Sequence, residues 1–266
     1  MQTSGKNRRI WIFALLAFAM AGAGCARKPH AELVVGMSLS YPPFEKFDEG
    51  GNPSGVSVDL ANALGEYLHR KVVIRNIRFD GLIPELKTGG IDLIMSSMTA
   101  TPERAEEIDF SDPYLKTGLC LLVGAKSGVQ SAGDLDKPGR SVVVKKGTTG
   151  QIYVAEHIKN ARVVALDEEA ACVLEVTQGK EDAFIYDQMS TYTSWRNNPE
   201  TTRAILEPMD AESWAVGIKK GNTELRGQVN KFLADYKAKG GFDALGDKWL
   251  AEQKAAFKKM GIPFYF

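Results

Sequence analysis

The sequence predicts an α/β protein built as two lobes, each a mainly parallel sheet with helices on both faces. Three observations carry this. Short apolar runs alternate with amphipathic segments from Glu32 onward. The alternation breaks at the apolar stretch 118–123 and then begins again as a second series. No internal repeat, low-complexity tract or long linker interrupts it. Strands separated by helical segments call for right-handed crossovers, which place helices on the two faces of a parallel sheet. Hydrophobic residues make up 44% of the 266, enough for one large core or two smaller ones.

In the first series, residues 33–37 read as a strand. Residues 56–68 read as a helix with Val56, Leu60, Ala63, Leu64 and Leu68 on one face. Residues 72–77 are strand-like, 81–88 helical and 91–95 a strand again. The second series predicts strands at 141–144, 163–166 and 183–186, and helices at 150–158, 168–177 and 188–195. Residues 214–218 are strand-like. The end is helical over 223–239, stops at Gly240-Gly241, resumes over 242–250 and runs on to Met260, a cap on the body rather than a third domain. The lobes divide near 118–122 and again near 208–214. One lobe is therefore expected over 32–117 and 213–266, and the other over 118–212.

The first residues stand apart from the fold. Lys6, Arg8 and Arg9 precede the apolar run 10–21, followed by Gly22, Ala23, Gly24 and Cys25. Basic, greasy and small residues in that order are the pattern of a secretory signal. The run is shorter than the roughly 20 residues of a permanent span; a buried N-terminal helix is the alternative. Ala23-Gly24-Cys25 resembles the end of the bacterial lipoprotein motif, in which the chain is cut before a cysteine that then carries lipid. On this reading 1–24 is a signal peptide, Cys25 the lipid attachment and 25–31 a tether, with the protein held at the outer face of a membrane or in the periplasm. Gly22 departs from the motif, which usually has Leu there, so a plain cut after Ala23 is the alternative.

Without residues 1–24 the chain loses three cations and no acid, turning a balance of 33 basic and 33 acidic residues into a mild acidic excess. No basic stripe points to nucleic acid, and no second long apolar run points to a channel. Cys120 and Cys172 both lie in apolar stretches. Export permits a disulfide between them; two buried small hydrophobes is the plainer reading.

The most informative stretch is 96–104. A strand ends, a small polar turn follows, and Thr101 can cap a helix that begins with Pro102. Such a turn exposes backbone N–H groups and hydroxyls at the C-terminal end of a parallel strand, where open α/β sheets bind ligands. Arg104 in the first helical turn opposes the helix dipole. Its planar fork suits a carboxylate, either that of a ligand or that of Glu107 or Asp109. Asp187 ends another strand and can cap the next helix. Gly147-Thr148-Thr149-Gly150 opens a helix with free N–H groups, a generic anion site without Walker spacing.

Further motifs stand in order along the chain: Tyr41-Pro42-Pro43-Phe44-Glu45, Phe79-Asp80-Gly81-Leu82-Ile83-Pro84 and Gly90-Ile91-Asp92-Leu93-Ile94. Thr101-Pro102-Glu103-Arg104, Asp109-Phe110-Ser111-Asp112-Pro113-Tyr114, Lys146-Gly147-Thr148-Thr149-Gly150 and Asp182-Ala183-Phe184-Ile185-Tyr186-Asp187 follow. Each is weak alone. As an ordered set, spanning about 32–249, they resemble the polar amino-acid-binding proteins of ABC importers, bacterial extracellular solute-binding proteins of family 3. The resemblance implies a two-lobed, periplasmic-binding-protein-like fold of type II with a hinge. It also implies an amino-acid ligand, permease partners, no cofactor and no metal, and a monomer. Arg104 is then expected to grip the ligand α-carboxylate, with backbone at Thr99 and Thr149. Asp187 takes the α-ammonium with Ser97 and Thr99, and Tyr41 and Phe79 flank the ligand side chain. Tyr41 and Phe79 are also ordinary core candidates.

Binders of basic amino acids in the family often carry an aspartate three residues before the first aromatic. That position is Ser38, and a hydroxyl cannot neutralise a buried cation. Lys145 lies where some relatives hydrogen-bond a neutral amide. Both favour an uncharged polar or acidic ligand, although Glu45 or a remote acid could compensate. An enzyme is the first alternative, since some members of the fold are dehydratases. His30, His69 and His157 lie off the motifs, however, and no catalytic triad, metal cluster or cofactor fingerprint is present. A sensing module is the second; such domains are usually fused to a span and an output domain, and these 266 residues hold neither.

Overall fold

Two five-stranded sheets organise residues 32–264, the part of the chain described by this computed structural model. The expected signal segment, Cys25 and the tether lie outside the described residues. The first half runs β1 (Glu32–Met37), a small hairpin of β2 (Lys46–Phe47) and β3 (Pro53–Ser54), α1 (Val56–Leu68) and β4 (Lys71–Asn76). A 3₁₀ turn at Phe79–Gly81 leads into α2 (Leu82–Thr88), then β5 (Leu93–Ile94), α3 (Pro102–Glu107) and β6 (Asp109–Phe110). The second half holds β7 (Leu115–Gly124), β8 (Ser141–Lys145), α4 (Thr149–His157), β9 (Arg162–Leu166), α5 (Glu169–Thr177), β10 (Ala183–Asp187), α6 (Gln188–Asn197) and β11 (Thr202–Trp214). The chain closes with β12 (Gly217–Ile218), α7 (Thr223–Ala238), α8 (Gly241–Trp249) and α9 (Ala251–Met260).

The first sheet has the order β4-β1-β5-β12-β6 and the second β11-β7-β10-β8-β9. Both are mixed rather than mainly parallel. β1 lies parallel to β4 and β5, but β12 runs antiparallel to β5 and β6. Likewise β8 lies parallel to β9 and β10, whereas β7 runs antiparallel to β10 and β11. The crossover units expected from the sequence supply the parallel strands. The reversed strands are β7 and β12, each entered directly from a strand of the other sheet, β7 after β6 and β12 after β11.

The apolar periodicity placed most helices within a residue or two. On α1, Val56, Leu60 and Leu64 are buried, whereas Ala63 and Leu68 are half-buried at the edge of the stripe. The helix starts at Gly55, whose φ of 127° and crowding (a Cβ would lie 2.3 Å from the Phe44 carbonyl oxygen) leave room for glycine alone. The expected strand 91–95 keeps only Leu93–Ile94. Its flanks still follow β1, with Asp92 N donating to Val34 O at 2.8 Å and Met95 N to Gly36 O at 3.2 Å, and the Asp92 carboxylate accepts Val34 N at 3.0 Å.

The expected strand 214–218 divides. Trp214 ends β11 in the second sheet, and Gly217–Ile218 form β12 in the first. β11 itself is not legible in the sequence. It is an edge strand with Pro208 near its middle and a register shift between Ile205 and Asp210, both of which erase strand periodicity. Both passages between the two sheets therefore run along the long antiparallel pair β7–β11. The terminal helices form the expected cap: α7 and α8 pack on α1, and α9 seats Phe257 against Tyr192 of α6 at 5.4 Å between centroids. Cys120 and Cys172 are buried and unpaired.

Candidate functional site

The C-terminal ends of the parallel strands of both sheets meet at one cleft, as in open α/β sheets that bind ligands. From the first sheet, β1 leads into Ser38, Ser40 and Tyr41. Ser96 Oγ accepts Ser38 N at 2.9 Å, and the Ser38 and Ser40 hydroxyls lie 3.2 Å apart. β5 leads into the expected polar turn, where Ser97 has a left-handed φ of 49°. Thr101 caps α3 by accepting Arg104 N at 3.3 Å, with Pro102 at the first position. The end of β11 is bonded to this turn, since Ala100 N donates to Ser213 O and Ala215 N to Met98 O, each at 3.0 Å. That pairing delivers Glu212 and Trp214 to the cleft.

From the second sheet, β8 ends at Lys145. Thr148 then caps its strand end by donating to Lys145 O at 2.7 Å, and Thr149 opens α4. Gly150 lets α4 approach β10, because a Cβ there would sit 2.5 Å from Ile185 O. β10 ends at Asp187, whose Oδ1 accepts Met189 N at 2.9 Å and Ser190 N at 3.0 Å at the start of α6. Asp187 is thus a helix cap and a cleft residue at once.

The nine residues expected to bind ligand line a single cavity: Ser38, Tyr41, Phe79, Ser97, Thr99, Arg104, Lys145, Thr149 and Asp187. Ser96, Thr148, Tyr186, Glu45, Glu212 and Trp214 complete the wall. The cleft is closed, with bonds across it. Arg104 Nη2 donates to Gly147 O at 2.9 Å, Lys145 Nζ to Ser40 Oγ at 3.3 Å, and Arg78 pairs with Asp167 at 3.4 Å. Tyr41 stacks on Phe44 and meets Tyr186 and Trp214 edge-on, so it belongs to the aromatic core as well as to the cavity.

Arg104 is 7% exposed and also donates from Nη1 to Thr99 O at 2.6 Å. The intramolecular salt bridge open at the sequence level does not form, because Glu107 pairs with Lys87 and Asp109 with Lys220. Burial lowers the guanidinium pKa to about 10, opposed by Glu212 and Glu103, and the group stays charged at neutral pH. Lys145 is 1% exposed and has no ion-pair partner among the described carboxylates. Its Nζ lies 5.8 Å from the Phe79 ring centroid, with the Arg104 guanidinium 5.6 Å from the same ring.

The carboxylates are buried to a similar degree. Glu45 is fully buried; its Oε1 accepts the Ser57 and Ser97 hydroxyls, and its Oε2 has no partner. Burial raises its pKa to about 8, against the hydroxyls and Lys145. Burial likewise raises Asp187 to about 6 and Glu212 to about 7, and Glu212 Oε1 is unpartnered. Behind the wall, Glu169 accepts the Ser190 hydroxyl, and burial raises it to about 8. Glu45 stands in a motif and is expected from the sequence only as an acid that could compensate for Ser38. Glu212 and Trp214 were missed because β11 was, and no local signal marks them.

A closed cleft between two α/β lobes, lined by a lone guanidinium and buried carboxylates, defines a two-lobed small-molecule receptor. The chain matches the model of the bacterial extracellular solute-binding proteins, family 3, over residues 33–252, and it belongs to that family. It is 27% identical to the ABC transporter arginine-binding protein 1 of Escherichia coli over 92% of this chain and all of that one. It is 29% identical to the ABC transporter glutamine-binding protein GlnH of Bacillus subtilis, over 86% of this chain and 85% of that one. Among solved structures it resembles an ancestral amino-acid-binding protein described as a precursor of cyclohexadienyl dehydratase, with a TM-score of 0.76 and 34% identity. That match covers 82% of this chain and 95% of the other.

Proposed function

We propose that this chain is the extracytoplasmic receptor of an ABC importer, capturing one amino acid between its lobes and presenting it to the permease. The observation that carries this is the placement of Arg104 and Asp187. They come from different sheets, face one closed cavity and are not ion-paired with each other or any other described residue. A zwitterion offers one fixed anion and one fixed cation, which two such groups can clamp as the lobes close. In this reading the lobes are 32–117 with 213–266, and 118–212, hinged on β7 and β11. Thr99 and Thr149 assist at the carboxylate, Ser97 at the ammonium, and Tyr41 and Phe79 hold the side chain. The ligand is polar and not basic, because Ser38 supplies no carboxylate to a distal cation and Lys145 opposes one. The relatives' ligands, arginine and glutamine among them, support an amino acid without choosing it. Residues 1–24 direct export, Cys25 carries the lipid, and the receptor acts as a monomer.

Calorimetry of the purified protein against the set of amino acids tests the reading, and single-site binding is expected. Arg104→Ala should cost about 100-fold in affinity or more, since it leaves a carboxylate buried without its donor. Silence across the set overturns the receptor. The dehydratase likeness gives a second reading its one observation. Turnover of a prephenate-like acid by the wild-type protein would establish it in place of the first.

A further inference from the structure

Glu212 stands in the cavity with no task yet assigned to it. It is 5% exposed, and its Oε1 has no partner. Alternation along β11 puts it on the same face as Trp214, two residues on. Trp214 is fixed, because its backbone bridges to Thr99 and its ring meets Tyr41 and Phe44 edge-on at 5.9 and 5.0 Å between centroids. The strand therefore holds Glu212 at the cavity wall. Burial favours its protonated form most strongly, and Asp187 adds to this; the Thr149 and Thr99 hydroxyls and the Arg104 guanidinium favour the anion. From β7, Cys120 presents a thiol that burial, Asp187 and Glu212 keep neutral. Lys116 of β7, Arg196 of α6, and Glu207 and Asp210 of β11 itself are exposed. Lys145, the other cation of the cavity, acts on Glu45 and Glu169.

Thr99, Thr149 and Arg104 are also the groups proposed above to hold the ligand α-carboxylate. Two carboxylates that share one buried cation and its neighbouring hydroxyls repel each other, and such a pair keeps a proton between them. We infer that Glu212 is a competitor for the ligand α-carboxylate built into the cleft, and that capture of an amino acid obliges Glu212 to hold a proton. This rests on the amino-acid-receptor reading above and adds a proton to it. The proton comes from solvent and settles on the carboxyl, whose O–H donates where the anion would repel. In the free protein this carboxyl titrates near neutrality, at about 7. The protonated, competent fraction dominates below that value and falls about tenfold per pH unit above it, and apparent affinity follows the competent fraction. Asp187, at about 6, must be ionised to meet the ammonium, so its own titration acts on the acid side. Glu45 and Glu169 titrate at about 8, inside the same window, so a variant is needed to assign the proton.

The test is calorimetry of the wild-type protein and Glu212→Gln between about pH 6 and pH 8.5. The probe is whichever of the standard amino acids binds the wild type most tightly. Wild-type affinity should fall about 10-fold or more from about pH 7 to pH 8.5. Titrations at about pH 8 in phosphate and in Tris, whose ionisation heats differ, should show about one proton taken up per amino acid bound. Glu212→Gln should bind about 10-fold tighter than wild type at the alkaline end and take up about one proton fewer, with the gain shrinking toward pH 6. Weaker binding by Glu212→Gln at every pH would make Glu212 a direct ligand contact and overturn the inference. So would an equal proton count in the two proteins, and either result leaves the receptor standing. Silence across all amino acids overturns both. If Glu212→Gln fails to fold, the wild-type proton count decides: about one supports the inference, and none overturns it.

Discussion

A buried carboxyl with one free oxygen makes the unliganded protein sensitive to pH. Glu45 and Glu169 are both raised to about 8 by burial, Glu212 to about 7 and Asp187 to about 6. A raised pKa means that the folded state holds its proton more tightly than the unfolded chain. The contribution is fully present below the ordinary carboxylate range and is lost as pH rises through the folded values. Carboxyls with lowered values, such as Asp134 at about 2, act only at lower pH and leave this window untouched. The melting temperature of the unliganded protein should therefore fall between about pH 5 and pH 8, and the Glu45→Gln, Glu169→Gln double variant should flatten the slope. Differential scanning fluorimetry across pH reads this directly, and a parallel slope in the double variant would show other groups at work.

At the scale of elements, Asp187 joins a strand end, a helix start and the cleft. Asp187→Asn keeps an oxygen for Met189 N and Ser190 N but removes the charge that would meet an ammonium. It should leave stability within about 1 kcal/mol and lower affinity about 10-fold or more. Asp187→Ala should lose the cap as well, at a further cost of about 1 kcal/mol. Chemical denaturation set beside calorimetry separates the two effects. The crossing strands carry a different constraint. Gly118 of β7 faces the irregular stretch of β11, where a Cβ would lie 2.6 Å from Pro208 Cβ and 2.7 Å from Asp210 O. Gly118→Ala should cost about 1–3 kcal/mol by forcing the paired strands apart, read as a lower denaturation midpoint.

Across the whole molecule, three polar contacts bridge the closed cleft, Arg104 to Gly147, Lys145 to Ser40 and Arg78 to Asp167, beside the aromatic contacts of Tyr41 with Tyr186 and of Phe257 with Tyr192. Two of the three fix buried cations, and an exposed pair such as Arg78–Asp167 is worth little. On the proposed reading, closure responds to what fills the cavity. Saturating ligand, at 100 times its Kd, should stabilise the fold by about 2.7 kcal/mol and raise the melting temperature by roughly 5–10 °C. Small-angle scattering should show a smaller radius of gyration with ligand than without. An equal radius in both states would mean that the lobes do not open.

Much of this protein was legible from residue order alone. Periodicity of 3.6 and short apolar runs located α1, α4, α5, β8, β9 and β10, because each is a local pattern reinforced by its own turn or cap. The polar turn before Arg104 and the strand end at Asp187 were legible for the same reason: caps and proline at a first helical position are local chemistry. What had no local signature was the edge strand β11, whose register comes from pairing with β7 across the chain. With it went Glu212 and Trp214. Nor could residue order say whether Arg104 would meet Glu107, Asp109 or neither, since that depends on where Lys87 and Lys220 fall in space. The burial of Glu45 and Lys145 is of that kind too: each is an ordinary charged residue in sequence, and only folding buries both without joining them.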